Sequence, residues 1–184
     1  MGGPQRKKHL DGGQTSRNVR RIGRFVGVFA ICIGLFRLFG TTELYRQHLL
    51  REYLRSNALA SALMLQGLGE EVIATAGCVT STALTLEIRK GCDAIEPTAL
   101  VVAAVLAAPV SVFQKMLGTL GAVLLLNLAN MARIVSLYLV GLHAPRYFET
   151  LHVEIWQPLI LVLGVLYWMF WFHSSLDRRA THGP

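Results

Sequence analysis

Apolar residues dominate four long stretches of the chain, at residues 22–39, 95–113, 117–142 and 155–172. Each stretch is close to the length of about 17–25 residues that crosses a bilayer as a helix. None shows the alternation of apolar and polar residues that marks a lipid-facing strand of a membrane barrel. The pattern therefore predicts an all-α polytopic membrane protein with about four transmembrane helices.

The segment between the first two spans, residues 40–94, has a more mixed pattern. Leucine and alanine recur near one helical face of residues 43–65, while the arginines lie elsewhere. This is typical of a helix at the membrane interface, and equally of an outer helix packed on its neighbours. Beyond it, residues 80–82 separate an apolar run at 72–76 from an alternating run at 84–88, which predicts a β-hairpin.

The two ends of the chain are polar. Residues 1–21 form a basic tail and residues 177–184 a shorter one, so residues 22–176 make up a single membrane-embedded domain. The tails at residues 1–18 and 178–184 are polar enough to be disordered.

Composition supports the membrane class and excludes others. Hydrophobic residues make up 53% of the chain and charged residues 16%, against about 25% charged in soluble domains. Much of the net charge of +7 lies in the N-terminal tail. Beside a first span, such a tail is interpreted as a cytoplasmic retention signal under the positive-inside rule. The lipid bilayer is therefore an expected partner, and nucleic acid is not.

Orientation follows from the basic residues. With the N-terminal tail inside, the turn predicted at residues 114–118, which contains Lys115, and the tail with Arg178 also lie inside. Both termini are then cytoplasmic, and residues 40–94 lie outside. The first apolar stretch is interpreted as an uncleaved anchor, since Arg37 follows it and no obvious cleavage site does.

Three polar residues approach the outer face in this topology: Cys92 before the second span, Arg133 within the third and His152 before the fourth. Arg133 lies about nine residues from the outer end of its span, roughly 13 Å deep, where a charge costs at least a few kcal/mol. Asn127 and Asn130 share its helical face. We expect a functional role for Arg133, although such a face also serves for hydrogen bonds between membrane helices.

Cys92 has a neighbourhood that favours a reactive thiolate. Arg89 and Lys90 would stabilise the anion, as would the start of the following helix, while Asp93 opposes them. The alternative is a disulfide between Cys92 and Cys78, since both are predicted to lie outside.

Two histidines, His143 and His152, are candidates for acid–base chemistry, or else ordinary interfacial residues. Glu149 and Glu154 lie nearby, but neither an HExxH motif nor a paired-cysteine spacing is present. We therefore expect neither a metal site nor a cofactor.

The strings RKGCDAIEPTAL at residues 89–100 and NLANMARIVSLYLVGLHAPRYFETLHVEIWQP at residues 127–158 resemble the signature of the exosortase/archaeosortase family, most closely the compact exosortase H type. The resemblance falls on Cys92 in KGCDAIE, Arg133 in NMARIVS and His152 in LHVEIWQ. Many members of that family have more spans, and the outer segment of this chain has no clear counterpart among them.

The resemblance implies a membrane-embedded cysteine transpeptidase or protease of the bacterial inner membrane, with its site facing the periplasm. Its substrates would be secreted proteins that end in a short sorting motif, one transmembrane helix and a basic tail. Cys92 would attack the scissile carbonyl to give a thioester, His152 would transfer protons, and Arg133 would stabilise the oxyanion. Asn130 would orient the Arg133 guanidinium. The sequence favours neither an amine nor water as the acceptor.

Two interpretations from other classes stay open. A non-enzymatic membrane subunit would use Arg133 and the asparagines for helix packing, and it would tolerate Cys92→Ala. A small transporter would need a polar path through the membrane, yet the first, second and fourth spans have almost no polar side chains at mid-depth.

Overall fold

The computed structural model describes residues 5–88 and 93–181 of the chain. Helices dominate these residues, and a small antiparallel sheet lies between the second and third helices. The helices are α1 (Gln5–Phe39), α2 (Leu50–Gly67), α3 (Ile95–Ala107), α4 (Val112–His143) and α5 (Gln157–Thr181), and the strands are β1 (Ile73–Thr75), β2 (Cys78–Thr80) and β3 (Thr85–Glu87). A π-helical turn, Leu44–Leu49, precedes α2, and a 3-10 turn, Pro145–Tyr147, and a π-helical segment, Thr150–Trp156, precede α5.

Three helical stretches are long and apolar enough to cross a membrane: Asn18–Phe39, Val112–His143 and Pro145–Asp177. Helix α3 is also apolar but has 13 residues. At 1.5 Å per residue it is about 20 Å long, whereas the hydrocarbon core is about 30 Å thick. The helices agree with a helical membrane protein, and the count of four spans stays a prediction.

The connection between α3 and α4 lies at residues 108–111, so the turn predicted at residues 114–118 is wrong. Pro109 lacks a backbone N–H and disfavours helix at the residue before it, so α3 does not continue. Ser111 then caps α4: its side chain accepts the Gln114 N–H, and the Gln114 side chain accepts the Ser111 N–H. This capping box starts α4 at Val112, within the apolar stretch at residues 95–113 that was assigned to the second span.

Both ends of the described chain are helical where disorder was predicted. Helix α1 begins at Gln5 and α5 continues to Thr181. Propagating an existing helix adds one hydrogen bond for each residue that is fixed, and lysine, arginine and glutamine are good helix formers. Disorder was predicted for residues 1–18 and 178–184, and the part of these tails that the structure describes is helical.

The segment between α2 and α3 contains the predicted β structure with an additional strand. Strand β2 pairs antiparallel with both β1 and β3, so the two runs that were expected to form the hairpin flank it. Ala76 and Gly77 make the turn between β1 and β2 with φ of 45° and 93°. Two successive positive φ angles suit a two-residue hairpin turn because they match the twist of the strands.

Helix α2 packs on its neighbours, as one of the two interpretations of its sequence proposed. It contributes Ala58, Ala62 and Leu65 to a core that also contains Val79 of the sheet and Tyr138 of α4. A second core is shared by α3, α4 and α5 and contains Val101, Val105, Ala122, Leu126 and Ile160. Helix α4 therefore joins the two cores, because its N-terminal half packs in the second core and its C-terminal half in the first.

Glycines allow α4 and α5 to approach closely. A methyl group at Gly118 would overlap the Trp171 ring, and one at Gly121 would overlap the Tyr167 hydroxyl. That hydroxyl donates a hydrogen bond to the Gly118 carbonyl over 2.7 Å. Small residues commonly permit such contacts between membrane helices.

Gly118→Ala is expected to destabilise the protein because the added methyl group must push the Trp171 ring aside. Overpacking of this kind costs about 1–3 kcal/mol, which lowers Tm by roughly 2–12 °C in a chain of this size. Thermal unfolding in detergent measures the change. Gly27→Ala is the matched control, since its surroundings are open; an equal loss in both variants would contradict the close packing.

Candidate active site around Arg133 and His152

Arg133 is buried in α4, with 3% of its surface exposed. Its side chain forms part of the wall of two cavities. The smaller one, of about 50 Å³, is also lined by His152, Phe148 and Ile88. The larger one, of about 150 Å³, is also lined by Asp93 and by residues of α3 and α5. Arg133 therefore connects the sheet side of the molecule with its helix side.

His152 lies in the π-helical segment Thr150–Trp156 and is half-buried. Its ring packs near that of Phe148, with 5.8 Å between the ring centroids. The imidazole is close enough to the Arg133 guanidinium for the two to interact electrostatically. Single turns of π-helix occur frequently at functional sites. The prediction that Arg133 and His152 approach one another therefore agrees with the structure.

Two hydrogen bonds fix the segment with His152 against α4. The Trp156 indole N–H donates to the Ser136 hydroxyl oxygen over 2.9 Å. The Ser136 hydroxyl in turn donates to the Arg133 carbonyl over 2.9 Å. Trp156 lies one turn after His152 and Ser136 one turn after Arg133, so this chain of bonds holds the two candidate residues in register. Neither Ser136 nor Trp156 was a candidate from the sequence.

Cys92, Arg89 and Lys90 lie outside the described residues. The residues on either side of this gap nevertheless line the two cavities that contain Arg133. Ile88 is buried and lines the cavity with Arg133 and His152. Asp93, 2% exposed, lines the neighbouring cavity with Arg133.

Cys78 was the alternative partner proposed for Cys92 from the sequence. It is half-buried in strand β2 and forms no disulfide with another described residue. The predicted disulfide involves a residue outside the described ranges, so it stays a prediction.

A half-buried tyrosine anchors the chain directly after the gap. The Tyr53 hydroxyl lies 2.8 Å from the Asp93 carbonyl oxygen and 2.6 Å from the Asn127 side-chain oxygen, and its single proton serves one acceptor at a time. Burial is the largest cause of the raised pKa of Tyr53, and the hydroxyl is protonated at neutral pH. Asn127 thus forms an interhelical contact, as its alternative interpretation proposed.

The chain enters α3 through a strained residue. Ala94 is buried and has a φ of 54°, in the left-handed region that disfavours residues with a side chain. The Asp93 carboxylate accepts the Ile95 N–H over 3.2 Å and supports this conformation. Strain of this kind costs about 1–3 kcal/mol and is concentrated at functional sites.

Asn130 is completely buried, but its amide makes no hydrogen bond within the described part of the chain. The hydrogen bond by which it was expected to orient Arg133 is therefore absent there. Spacing by one turn places Asn130 and Arg133 on the same side of α4, but the short Asn130 side chain makes no hydrogen bond to the guanidinium.

The second candidate histidine, His143, lies elsewhere. It is exposed, and its Nδ1 atom lies 3.0 Å from the Leu139 carbonyl oxygen of its own helix. Within residues 5–88 and 93–181, no three histidine, cysteine or acidic side chains lie together in a way that could hold a metal ion.

The arrangement can accommodate a negatively charged oxygen beside a buried guanidinium, with an imidazole available for proton transfer. A substrate group in the smaller cavity would contact both Arg133 and His152. Comparison of the chain with protein-family models, curated proteins and solved structures gives no significant match.

Proposed function

We propose that the protein is a membrane-embedded cysteine protease or transpeptidase of the exosortase type, which cleaves C-terminal sorting signals of secreted proteins. The observation that carries the proposal is the shared cavity of Arg133 and His152, whose wall includes Ile88 at the edge of the segment with Cys92. The motifs around Cys92, Arg133 and His152 supply the family resemblance.

The reaction begins at the Cys92 sulfur. The thiolate attacks the scissile carbonyl carbon, and the resulting tetrahedral intermediate collapses with cleavage of the C–N bond. The products of this step are a thioester on Cys92 and the amine end of the membrane tail. His152 accepts the thiol proton and delivers it to the departing amine. An amine acceptor or water then attacks the thioester and restores the thiol.

Arg133 stabilises the oxyanion of the tetrahedral intermediate. Its guanidinium is buried, and in such a surrounding a fixed charge acts more strongly than in water. The planar guanidinium also offers two parallel N–H groups, which a lysine does not. The bonds through Ser136 and Trp156 hold the Arg133 backbone and the segment with His152 against each other.

The proposed topology has four crossings, with both termini in the cytoplasm of a bacterium and the site at the periplasmic face of the inner membrane. Basic residues at the N-terminus support this orientation. The substrate enters with its own membrane helix in the bilayer, which delivers the sorting motif to the outer surface.

A non-enzymatic membrane subunit is the second candidate. The contact between Tyr53 and Asn127 favours it, because part of the polar face of α4 serves helix packing. In that case Cys92 would have no chemical role.

Co-expression with a tagged substrate tests the proposal. The substrate is a secreted protein from the same genome that ends in one span and a few basic residues. We expect the wild type to remove the tail and Cys92→Ser to accumulate uncut substrate. Cys78→Ser, the matched control, should cleave normally. Equal cleavage by wild type and Cys92→Ser would refute the cysteine mechanism.

A further inference from the structure

A groove of about 370 Å³ lies between α1, α3 and α4, on the face of α3 opposite the Arg133 cavity. Its wall is mainly apolar, and α1 covers it with Phe36 and Cys32. The α3 side of the wall runs from Ile95 to Leu106. Since α1 and α4 are long and apolar enough to cross a membrane, the groove is bordered by membrane-spanning helices.

The dimensions of the groove suit a single hydrocarbon chain. From Ile95 to Leu106 a helix rises about 16 Å, which is close to half of the roughly 30 Å hydrocarbon core. The whole empty volume of the groove, about 780 Å³ with its open margin included, gives a mean cross-section of at most about 49 Å² over this length. A helix of about 10 Å diameter needs roughly 80 Å². The groove is therefore too narrow for another transmembrane helix.

One end of the groove is polar. The Tyr53 hydroxyl and the Asn127 amide line it there. An adjoining cavity of about 240 Å³ shares Phe36 and Ile95 with the groove and carries the exposed ion pair between Arg37 and Glu96, 3.3 Å apart. Polar groups at the end and an apolar wall along the length match an amphiphile with a charged headgroup.

We propose that the groove binds one acyl chain of a phospholipid from the half of the bilayer next to the Arg133 site. The headgroup lies at the ion pair of Arg37 and Glu96, where the guanidinium can contact the phosphate. The binding itself is independent of the Cys92 chemistry. A bound acyl chain acts on the Arg133 site through Tyr53, which lines the groove and donates a hydrogen bond to the Asp93 carbonyl.

Native mass spectrometry of Cys92→Ser protein, with added phosphatidylglycerol, tests the site. We expect one tightly retained phospholipid, and a loss of about tenfold in occupancy in Ala99→Trp, whose indole fills the groove. Leu124→Trp is the control, because Leu124 is an exposed residue of α4 that does not line the groove. Equal retention by the two tryptophan variants, or none by the Cys92→Ser parent, would overturn the proposal.

A second measurement does not depend on the folding of Ala99→Trp. In Cys78→Ser/Cys92→Ser protein, Cys32 is the remaining cysteine of the chain. Because Cys32 lines the groove, added phosphatidylglycerol should slow its reaction with a lipid-soluble maleimide several-fold. An unchanged rate, or protection by an apolar peptide but not by phospholipid, would contradict the lipid site. Neither assay requires cleavage, so failure of the proposed enzymatic function would leave both results interpretable.

Discussion

Arg133→Lys should lower the cleavage of a tagged substrate by about 10²- to 10³-fold, the effect of removing one oxyanion-stabilising donor. Lysine keeps the charge but lacks the planar fork of N–H groups. The buried position leaves little freedom for a different side chain to reach the same point. The rate of tail loss in membranes measures the effect, with the amount of membrane-inserted enzyme held equal.

Arg146→Ala is the control for this loss. Arg146 is an exposed basic residue that follows α4, and its guanidinium lies 4.5 Å from the Tyr147 ring centroid. Its removal should leave cleavage unchanged. Normal cleavage by Arg133→Lys would show that charge alone suffices, and normal cleavage by Arg133→Gln would contradict oxyanion stabilisation altogether.

His152→Gln should lower cleavage by about 10²- to 10⁴-fold, the usual contribution of general acid–base catalysis. Glutamine fills similar space but transfers no proton. His143→Gln is the matched control. Within the described chain, the His143 ring forms its hydrogen bond with the Leu139 carbonyl of its own helix. If His143→Gln lost activity while His152→Gln kept it, the roles assigned to the two histidines would be reversed.

The approach of Arg133 to His152 could be predicted from the sequence because it depends on topology. Arg133 lies in a long apolar helix and His152 lies shortly before the next helix. An up-and-down path of the chain therefore places both residues near the same end of the helices. The start of α4 was missed although Ser111 and Gln114 form a recognisable capping box. The apolar residues around it extend through the loop and conceal the boundary.

Other contacts could not be predicted because they join distant elements without a local signal. Tyr53, Asp93 and Asn127 come from three different parts of the chain, and their contact depends on how α2 packs. The bond from Trp156 to Ser136 depends on the π-helical turn, which alters the direction of the side chains. The expected bond from Asn130 to Arg133 was inferred from spacing alone, which places two side chains on one face of a helix but does not fix their rotamers.

Trapping with hydroxylamine tests the thioester on Cys92 most directly. Hydroxylamine attacks a thioester at the carbonyl carbon, releases the thiol and leaves a hydroxamate on the N-terminal fragment. Wild-type enzyme incubated with substrate and hydroxylamine should yield this fragment, identified by its mass, and Cys92→Ser should yield none. Cleavage by the wild type without any hydroxamate, or hydroxamate formation by Cys92→Ser, would contradict a thioester at Cys92.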